Sequence, residues 1–138
     1  MQFAQIRDLV EITPETAGPI AADFLIGTWI NSNPDTTGIA RMVMSEAGGK
    51  LTLQTFAIGP DDLIDWGTTN VTVVASSAAS REGAGFTCVY DLGFAETRLQ
   101  GMIMKGLLVL AQFQTFKDDS GRAGYFVREY YALDHGRF

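Results

Sequence analysis

The sequence has little of what metal centres, disulfide frameworks and nucleophilic triads require. It contains one cysteine, Cys88, and one histidine, His135, in 138 residues. A single cysteine cannot form a disulfide within its chain, and these two residues cannot complete a Cys/His zinc site. Haem needs an axial ligand, and because the one histidine lies near the end of the chain we do not expect haem. A catalytic triad also needs an imidazole base, and the one imidazole lies close to the end of the chain. We therefore expect neither a metal nor a cofactor.

Basic residues and long apolar runs are also scarce. Ten lysines and arginines stand against sixteen aspartates and glutamates, a net charge of -6, which repels nucleic-acid phosphates and anionic lipids. The longest apolar stretch, residues 19–30, is interrupted by Asp23 and Thr28 and is too short for the roughly 20 residues of a membrane span. The first nine residues lack the pattern of a secretory signal. We expect a cytoplasmic protein that binds neither nucleic acid nor membranes.

What the sequence does have is enough apolar residues, 46% of the total, to form the core of one domain. From Phe24 onward the chain shows short β-type runs, and no segment sustains a helical period. Thr13-Pro14-Glu15 starts a helical turn that Gly18-Pro19 ends. The pattern predicts an N-terminal arm with a short helical turn over residues 1–23, a β-domain over 24–133 and a tail over 134–138.

The β-domain divides into eight runs separated by residues that favour tight turns. The runs cover residues 25–32, 38–45, 50–58, 68–76, 84–91, 95–104, 106–116 and 123–133. Most of the gaps between them have the length of hairpin loops and carry Gly, Asn, Asp or Pro. Eight consecutive hairpin-linked strands with no crossover helix indicate an all-β, eight-stranded antiparallel up-and-down barrel. A β-sandwich is the second choice.

Side-chain alternation indicates which residues face the barrel interior. In the second run Ala40, Met42 and Met44 share one face, and the opposite face carries Arg41. Leu53 and Thr55 belong to a similar inward row in the third run. In the seventh run both alternating rows of side chains begin with apolar residues, so either row can face inward. If the row with Leu110, Gln112 and Gln114 faces inward, two amides lie in a pocket. If it faces outward, the two amides are exposed to solvent.

The segment Phe24-Leu25-Ile26-Gly27-Thr28-Trp29 resembles the Gly-x-Trp opening of lipocalin-like (calycin) barrels. The resemblance implies that Trp29 closes the barrel floor beneath a covering arginine, for which Arg128 in the last run is the candidate. A guanidinium over an indole would gain about 0.5–2 kcal/mol. Both residues are therefore interpreted as structural. The resemblance departs from that family in lacking its disulfide and its long first loop.

We expect the barrel to bind a small, largely apolar metabolite inside its lumen. A barrel of eight strands has an interior just large enough for one small ligand. The expected ligand-binding residues are Met42, Met44, Leu53, Thr55, Trp66, Tyr90, Leu110, Gln112, Gln114 and Tyr125.

The alternative is a cofactor-independent cyclase or isomerase of a natural-product pathway, acting on a polyketide-like or polyene-like substrate, with Tyr90 and Gln112 as catalytic candidates. A third reading is an interaction domain with a packed lumen. A homodimer stays open, through outer apolar residues such as Ile39 and Val43.

Overall fold

The computed structural model describes residues 20–135. Most of the predicted arm and the last residues of the predicted tail therefore lie outside the described residues. The described chain forms a short 3-10 helix followed by nine β-strands. These are the 3-10 helix Asp23–Leu25 and the strands β1 Gly27–Asn31, β2 Ile39–Ala47, β3 Lys50–Ile58, β4 Leu63–Asn70, β5 Thr72–Ala75, β6 Gly83–Asp91, β7 Ala95–Met104, β8 Leu107–Phe116 and β9 Tyr125–Leu133.

Every pair of neighbouring strands is antiparallel, as the hairpin-sized gaps predict. The β7–β8 connection shows why the local sequence folds in this way. Lys105 and Gly106 both have positive φ, 53° and 81°, and this combination makes the two-residue turn whose twist matches that of a hairpin. The ten-residue strands on either side then pair along their whole length.

The number of strands corrects the prediction of eight. The predicted fourth run, 68–76, is two strands that separate at Val71 and pair with different neighbours, since β4 pairs with β3 and β5 pairs with β6. β4 also begins earlier than predicted, at Leu63. The alternating apolar pattern continues through the break, so hydrophobicity alone cannot locate a change of pairing partner.

The nine strands form one sheet in the order β4-β3-β2-β1-β9-β8-β7-β6-β5. Its two outer strands, β4 and β5, are consecutive in the chain, so the sheet curls round and its edges meet at Val71. The Val71 amide donates to Leu51 O of β3 (3.0 Å) and so continues the β3–β4 ladder. Thr69 Oγ1 of β4 donates to Val89 O of β6 (2.8 Å) across the gap between the edges. The predicted all-β antiparallel barrel is confirmed in the form of a nearly closed barrel.

Two β-bulges shift the alternation of side chains. One lies between Ile39 and Arg41 in β2, and it places Ile39 in the core, only 1% exposed, instead of on the outer surface. The other lets Thr55 face both Trp66 and Gly67 of β4. Gly67 has φ 83°, a conformation that glycine adopts without steric cost.

The 3-10 helix closes the lower end of the barrel, the end that carries the β2–β3 and β7–β8 turns. Leu25 is fully buried there, and its carbonyl accepts a hydrogen bond from Trp29 Nε1 (2.9 Å). The structure does not bring Trp29 and Arg128 together. Trp29 lies opposite Leu133 of β9, whereas Arg128 is five residues earlier, pairs with Ala111 and points outward.

Buried apolar side chains fill the lower and middle parts of the barrel. Trp29, Met42, Met44, Leu53 and Leu110 belong to one contiguous core cluster. Gly101 leaves room for the Phe86 ring, since a Cβ at position 101 would stand 2.2 Å from a ring carbon. Within the described residues no helix is long and apolar enough to cross a membrane.

Candidate functional site at the upper barrel mouth

Polar side chains are concentrated at the upper end of the barrel, where the β1–β2 and β8–β9 connections lie. In the described part of the chain, the buried polar side chains lie in the middle or upper parts of their strands. They are Asn31, Thr55, Thr97, Gln112 and Gln114. Because a buried polar group without a partner is costly, each one calls for a hydrogen-bonding or functional explanation.

A cavity of about 540 Å³ opens at this end, between the β1–β2 loop and β9. Five loop residues, 33 and 35–38, form one wall, and Gln112, Tyr125, Val127, Arg128 and Glu129 form the rest. We call this space the mouth cavity. Its volume is within the roughly 300–1,000 Å³ range of small-molecule sites.

The mouth cavity exists because β1 is shorter than its neighbour. β1 pairs with β9 only from Tyr131 to Leu133, so the first half of β9 has no strand on that side. Tyr125, Val127 and Glu129 are opposite Gln114, Gln112 and Leu110, and paired residues share a sheet face. They therefore face inward, yet Tyr125 is still 49% exposed.

Glu129 is the charged group of the inward row, and two side chains orient it. Asn31 Nδ2 donates to Glu129 Oε2 at 2.9 Å, and Thr36 Oγ1 donates to the same oxygen at 2.8 Å. Among the described residues no hydrogen bond is made to Glu129 Oε1. The carboxylate is thus held in place while one oxygen stays available to a ligand donor.

The loop that carries Thr36 is held by its own side chains. Asn31 Oδ1 accepts from the Asn33 amide (2.8 Å), Asn33 Oδ1 accepts from the Asp35 amide (3.0 Å), and Thr36 Oγ1 accepts from the Gly38 amide (3.1 Å). Asx turns of this kind stabilise a loop conformation without a helix or strand. The cavity wall is therefore preorganised.

Gln112 and Gln114 form a buried amide pair beside the cavity. Gln114 Oε1 accepts from Thr97 Oγ1 (2.5 Å) and from Gln112 Nε2 (3.3 Å). Among the described hydrogen bonds none uses Gln112 Oε1 or Gln114 Nε2. One acceptor and one donor therefore remain for a ligand, and Gln112 lines the mouth cavity itself.

The two buried phenols form hydrogen bonds with backbone carbonyls. Tyr90 OH lies 2.8 Å from Leu53 O and 2.9 Å from Gly67 O, and Tyr131 OH donates to Ile39 O at 2.9 Å. Burial raises the pKa of Tyr90 to about 12, and burial, with a smaller contribution from Glu129, raises the pKa of Tyr131 above its ordinary value. Both phenols stay protonated at neutral pH.

Thr55 and Cys88 have different roles in the interior. Thr55 Oγ1 is fully buried and makes no hydrogen bond of ordinary geometry within the described chain, although its hydroxyl helps to lower the pKa of Tyr90. Burial raises the pKa of the Cys88 thiol to about 12, so the thiol stays neutral and unreactive. Cys88 therefore does not supply a thiolate at neutral pH.

The predicted ligand-binding residues divide between the core and the mouth. Met42, Met44, Leu53 and Leu110 lie in the buried core cluster. Trp66 packs on that cluster and meets Tyr90 edge to face, with ring centroids 5.5 Å apart. Gln112 and Tyr125 line the mouth cavity, and Gln114 is bonded to Gln112.

Sequence reasoning missed Asn31, Thr36 and Glu129. Asn31 and Thr36 fall in or beside a predicted turn, where Asn and Thr are ordinary, and Glu129 lies in a strand next to the singled-out Arg128. For Glu129 the sequence held one signal. The two-residue alternation along β9 places Glu129 on the same face as Tyr125 and Tyr131. A pairing 98 residues apart has no local signature.

Among the described residues no group of three or more His, Cys, Asp or Glu side chains has the arrangement of a metal site. Comparison with protein-family models, with curated proteins and with solved structures finds no match to this chain. The functional conclusion therefore rests on the geometry of the mouth.

Proposed function

We propose that the protein binds a small molecule at the upper mouth of the barrel. The mouth cavity would hold the largely apolar body of the ligand against Tyr125 and Val127. The ligand's polar group would meet Gln112 and Glu129. Because the lower core is packed, the ligand is seated at the mouth and does not extend to Met42 and Met44.

The observation that carries this proposal is an unused acceptor on the wall of the mouth cavity. The Gln112 side chain is largely buried, at 6% exposure, and lines the mouth cavity, yet none of the described hydrogen bonds uses its Oε1 atom. The side chain is therefore held in place while this oxygen is open to a donor that enters the cavity. One hydrogen bond made there contributes about 0.5–1.5 kcal/mol to binding.

Native mass spectrometry of protein purified from its source tests the proposal. We expect a retained small molecule, with occupancy reduced about tenfold by Gln112→Leu, which keeps the side-chain size and removes the amide. The control is Gln54→Leu, since Gln54 bonds Asp65 on the outer surface. Absence of any retained molecule, or equal loss in both variants, would contradict the proposal.

The resemblance to lipocalin-like barrels belongs to this proposal as well. We propose that the barrel is of that class on the strength of Gly27 and Trp29, which open the first strand of a nearly closed antiparallel barrel. The Trp29 contact with the preceding 3-10 helix supports this view. The position of Arg128 does not contribute to it.

The alternative proposal is a cofactor-independent cyclase or isomerase of a natural-product pathway. The observation in its favour is that the Glu129 carboxylate and the Gln112 amide line one cavity. A carboxylate is suited to proton transfer, and an amide can polarise a carbonyl. Turnover of a polyketide-like or polyene-like substrate that is lost in Glu129→Gln but kept in Lys117→Gln would favour the enzyme. Binding without turnover would favour the carrier.

A further inference from the structure

The outer surface of β6 to β9 carries an apolar groove. Among the described residues that line it, Arg128 alone also lines the mouth cavity. The groove has a volume of about 1020 Å³. Large side chains stand along it with much of their surface in water, Met104 at 50% and Phe126 at 55%. Small residues, among them Ala84 and Ala111, lie between them. Large exposed apolar patches of this kind commonly mark interaction sites.

The strand register orders the groove into three rows across β7, β8 and β9. The register rows are Met102–Val109–Tyr130, Gln100–Ala111–Arg128 and Arg98–Phe113–Phe126. Ala111 is small, so the middle row forms the floor of the groove. The two outer rows form its sides, which are mainly apolar. Phe113 and Phe126 contact each other with ring centroids 5.0 Å apart. Arg128 thus stands in the middle row between two apolar walls.

The charge of the groove is opposite to the charge of the protein. The chain has a net charge of -6, but the groove is lined by Arg98 and Arg128 and by no aspartate or glutamate. Arg98 has an exposed partner in Glu96, 3.4 Å away. Within the described chain the Arg128 guanidinium makes no hydrogen bond or ion pair. Its donors are therefore available to an anion from outside.

These charges also exclude one obvious occupant. If two copies packed this face together about a twofold axis, each would present the same arginines to the other. No acidic residue of the groove would compensate them, and like charges brought together in an interface cost several kcal/mol. Self-association through this face is unfavourable for that reason. A single unpaired guanidinium instead matches a single anionic headgroup.

We propose that this groove binds a small anionic amphiphile, a free carboxylate with an aliphatic or aromatic body. The carboxylate pairs with Arg128, whose planar donors suit bidentate contact with carboxylate oxygens. The apolar body lies along Met102, Met104 and Phe126. Flexible methionines accommodate ligands of irregular shape. Arg128 also lines the mouth cavity, whereas Met102, Met104 and Phe126 belong to the groove and not to that cavity. The methyl groups of Met102 and Met104 therefore report on the groove, and binding there can be distinguished from binding at the mouth.

The test uses the full chain with its methionine methyl groups labelled with carbon-13 and octanoate as the probe. The chain has five methionines, of which Met102 and Met104 line the groove, while Met42 and Met44 are buried in the barrel core. We expect octanoate to shift the Met102 and Met104 methyl resonances in a saturable manner and to leave those of Met42 and Met44 unchanged. Octanol, with the same chain length and no charge, should bind at least about tenfold more weakly.

The matched variants are Arg128→Gln and Arg122→Gln. Both remove one exposed arginine, but Arg122 stacks on Phe94 and Phe116 away from the groove. We expect Arg128→Gln to weaken octanoate binding at least about tenfold and Arg122→Gln to leave it unchanged. The proposal is overturned if the two variants behave alike or if octanol binds as tightly as octanoate. Binding only to phosphatidylglycerol vesicles, with no effect of free octanoate, would overturn it as well.

Discussion

Asn31 and Glu129 are 98 residues apart in the chain, and the Asn31 amide donates a 2.9 Å hydrogen bond to the Glu129 carboxylate. The same amide donates to Ile39 O at 2.9 Å. One side chain at the end of β1 therefore positions both the carboxylate of the mouth and the start of β2. This makes Asn31 a positioning residue for the cavity, because it fixes the loop and the acid that form its walls.

Replacing Asn31 by Ala is expected to lower the free energy of unfolding by about 2 kcal/mol, since it removes the two hydrogen bonds that Asn31 Nδ2 donates and leaves their acceptors incompletely satisfied. Urea unfolding followed by tryptophan fluorescence measures the change. Asn70 is exposed, so Asn70→Ala should stay within about 0.5 kcal/mol of the parent. Equal effects of the two substitutions would refute the positioning role.

Two buried threonines should respond in opposite ways to replacement by valine. Thr97→Val removes the hydroxyl that donates to Gln114 and should destabilise the protein by about 1–2 kcal/mol. Thr55→Val removes a buried hydroxyl with no hydrogen bond of ordinary geometry and should be neutral or stabilising by up to about 1 kcal/mol. Thermal unfolding of both variants measures this contrast. Similar losses in both would show that Thr55 has a partner in solution.

Gly101→Ala should be strongly destabilising, because the new Cβ would stand 2.2 Å from Cε1 of Phe86. Overpacking of this kind costs about 1–3 kcal/mol. A second substitution, Phe86→Leu, removes the ring and should recover part of the loss that Gly101→Ala causes. The double-mutant cycle, measured by chemical unfolding, should therefore give a favourable coupling energy. Strict additivity would mean that the two residues do not meet.

The raised pKa of Tyr90 predicts a loss of stability in alkali. Burial raises this pKa from 10.0 to about 12, so the folded state keeps the phenol proton after the unfolded state has lost it. The contribution of Tyr90 is complete below pH 10 and is lost as the pH rises toward 12. In Tyr90→Phe the alkaline fall in melting temperature should be shallower, and absorbance at 295 nm should show one fewer late-ionising tyrosine. An unchanged titration would contradict the burial of this phenol.

Much of the barrel is predictable from local patterns. The Lys105-Gly106 turn, the inward face of β3 and the antiparallel order follow from turn chemistry and from the two-residue period of strands. The inward face of β8 does not, because both of its rows begin with apolar residues. The exchange of partners at Val71 does not, because the alternation is the same on both sides of the break. The site is less predictable still. Gln112 and Tyr125 were singled out, but Glu129 was not, since its role depends on contacts with Asn31 and Thr36.

The sequence by itself determined the all-β class and the positions of most turns, because these depend on composition and on neighbours in the chain. Only the tertiary structure decided that β1 pairs with the last part of β9 alone and that the mouth opens beside the unpaired part. It also decided that Arg128 faces outward instead of covering Trp29. Strand register is the physical reason. It is set by hydrogen bonds and side-chain packing between segments far apart in sequence, and it determines which residues finally face one another.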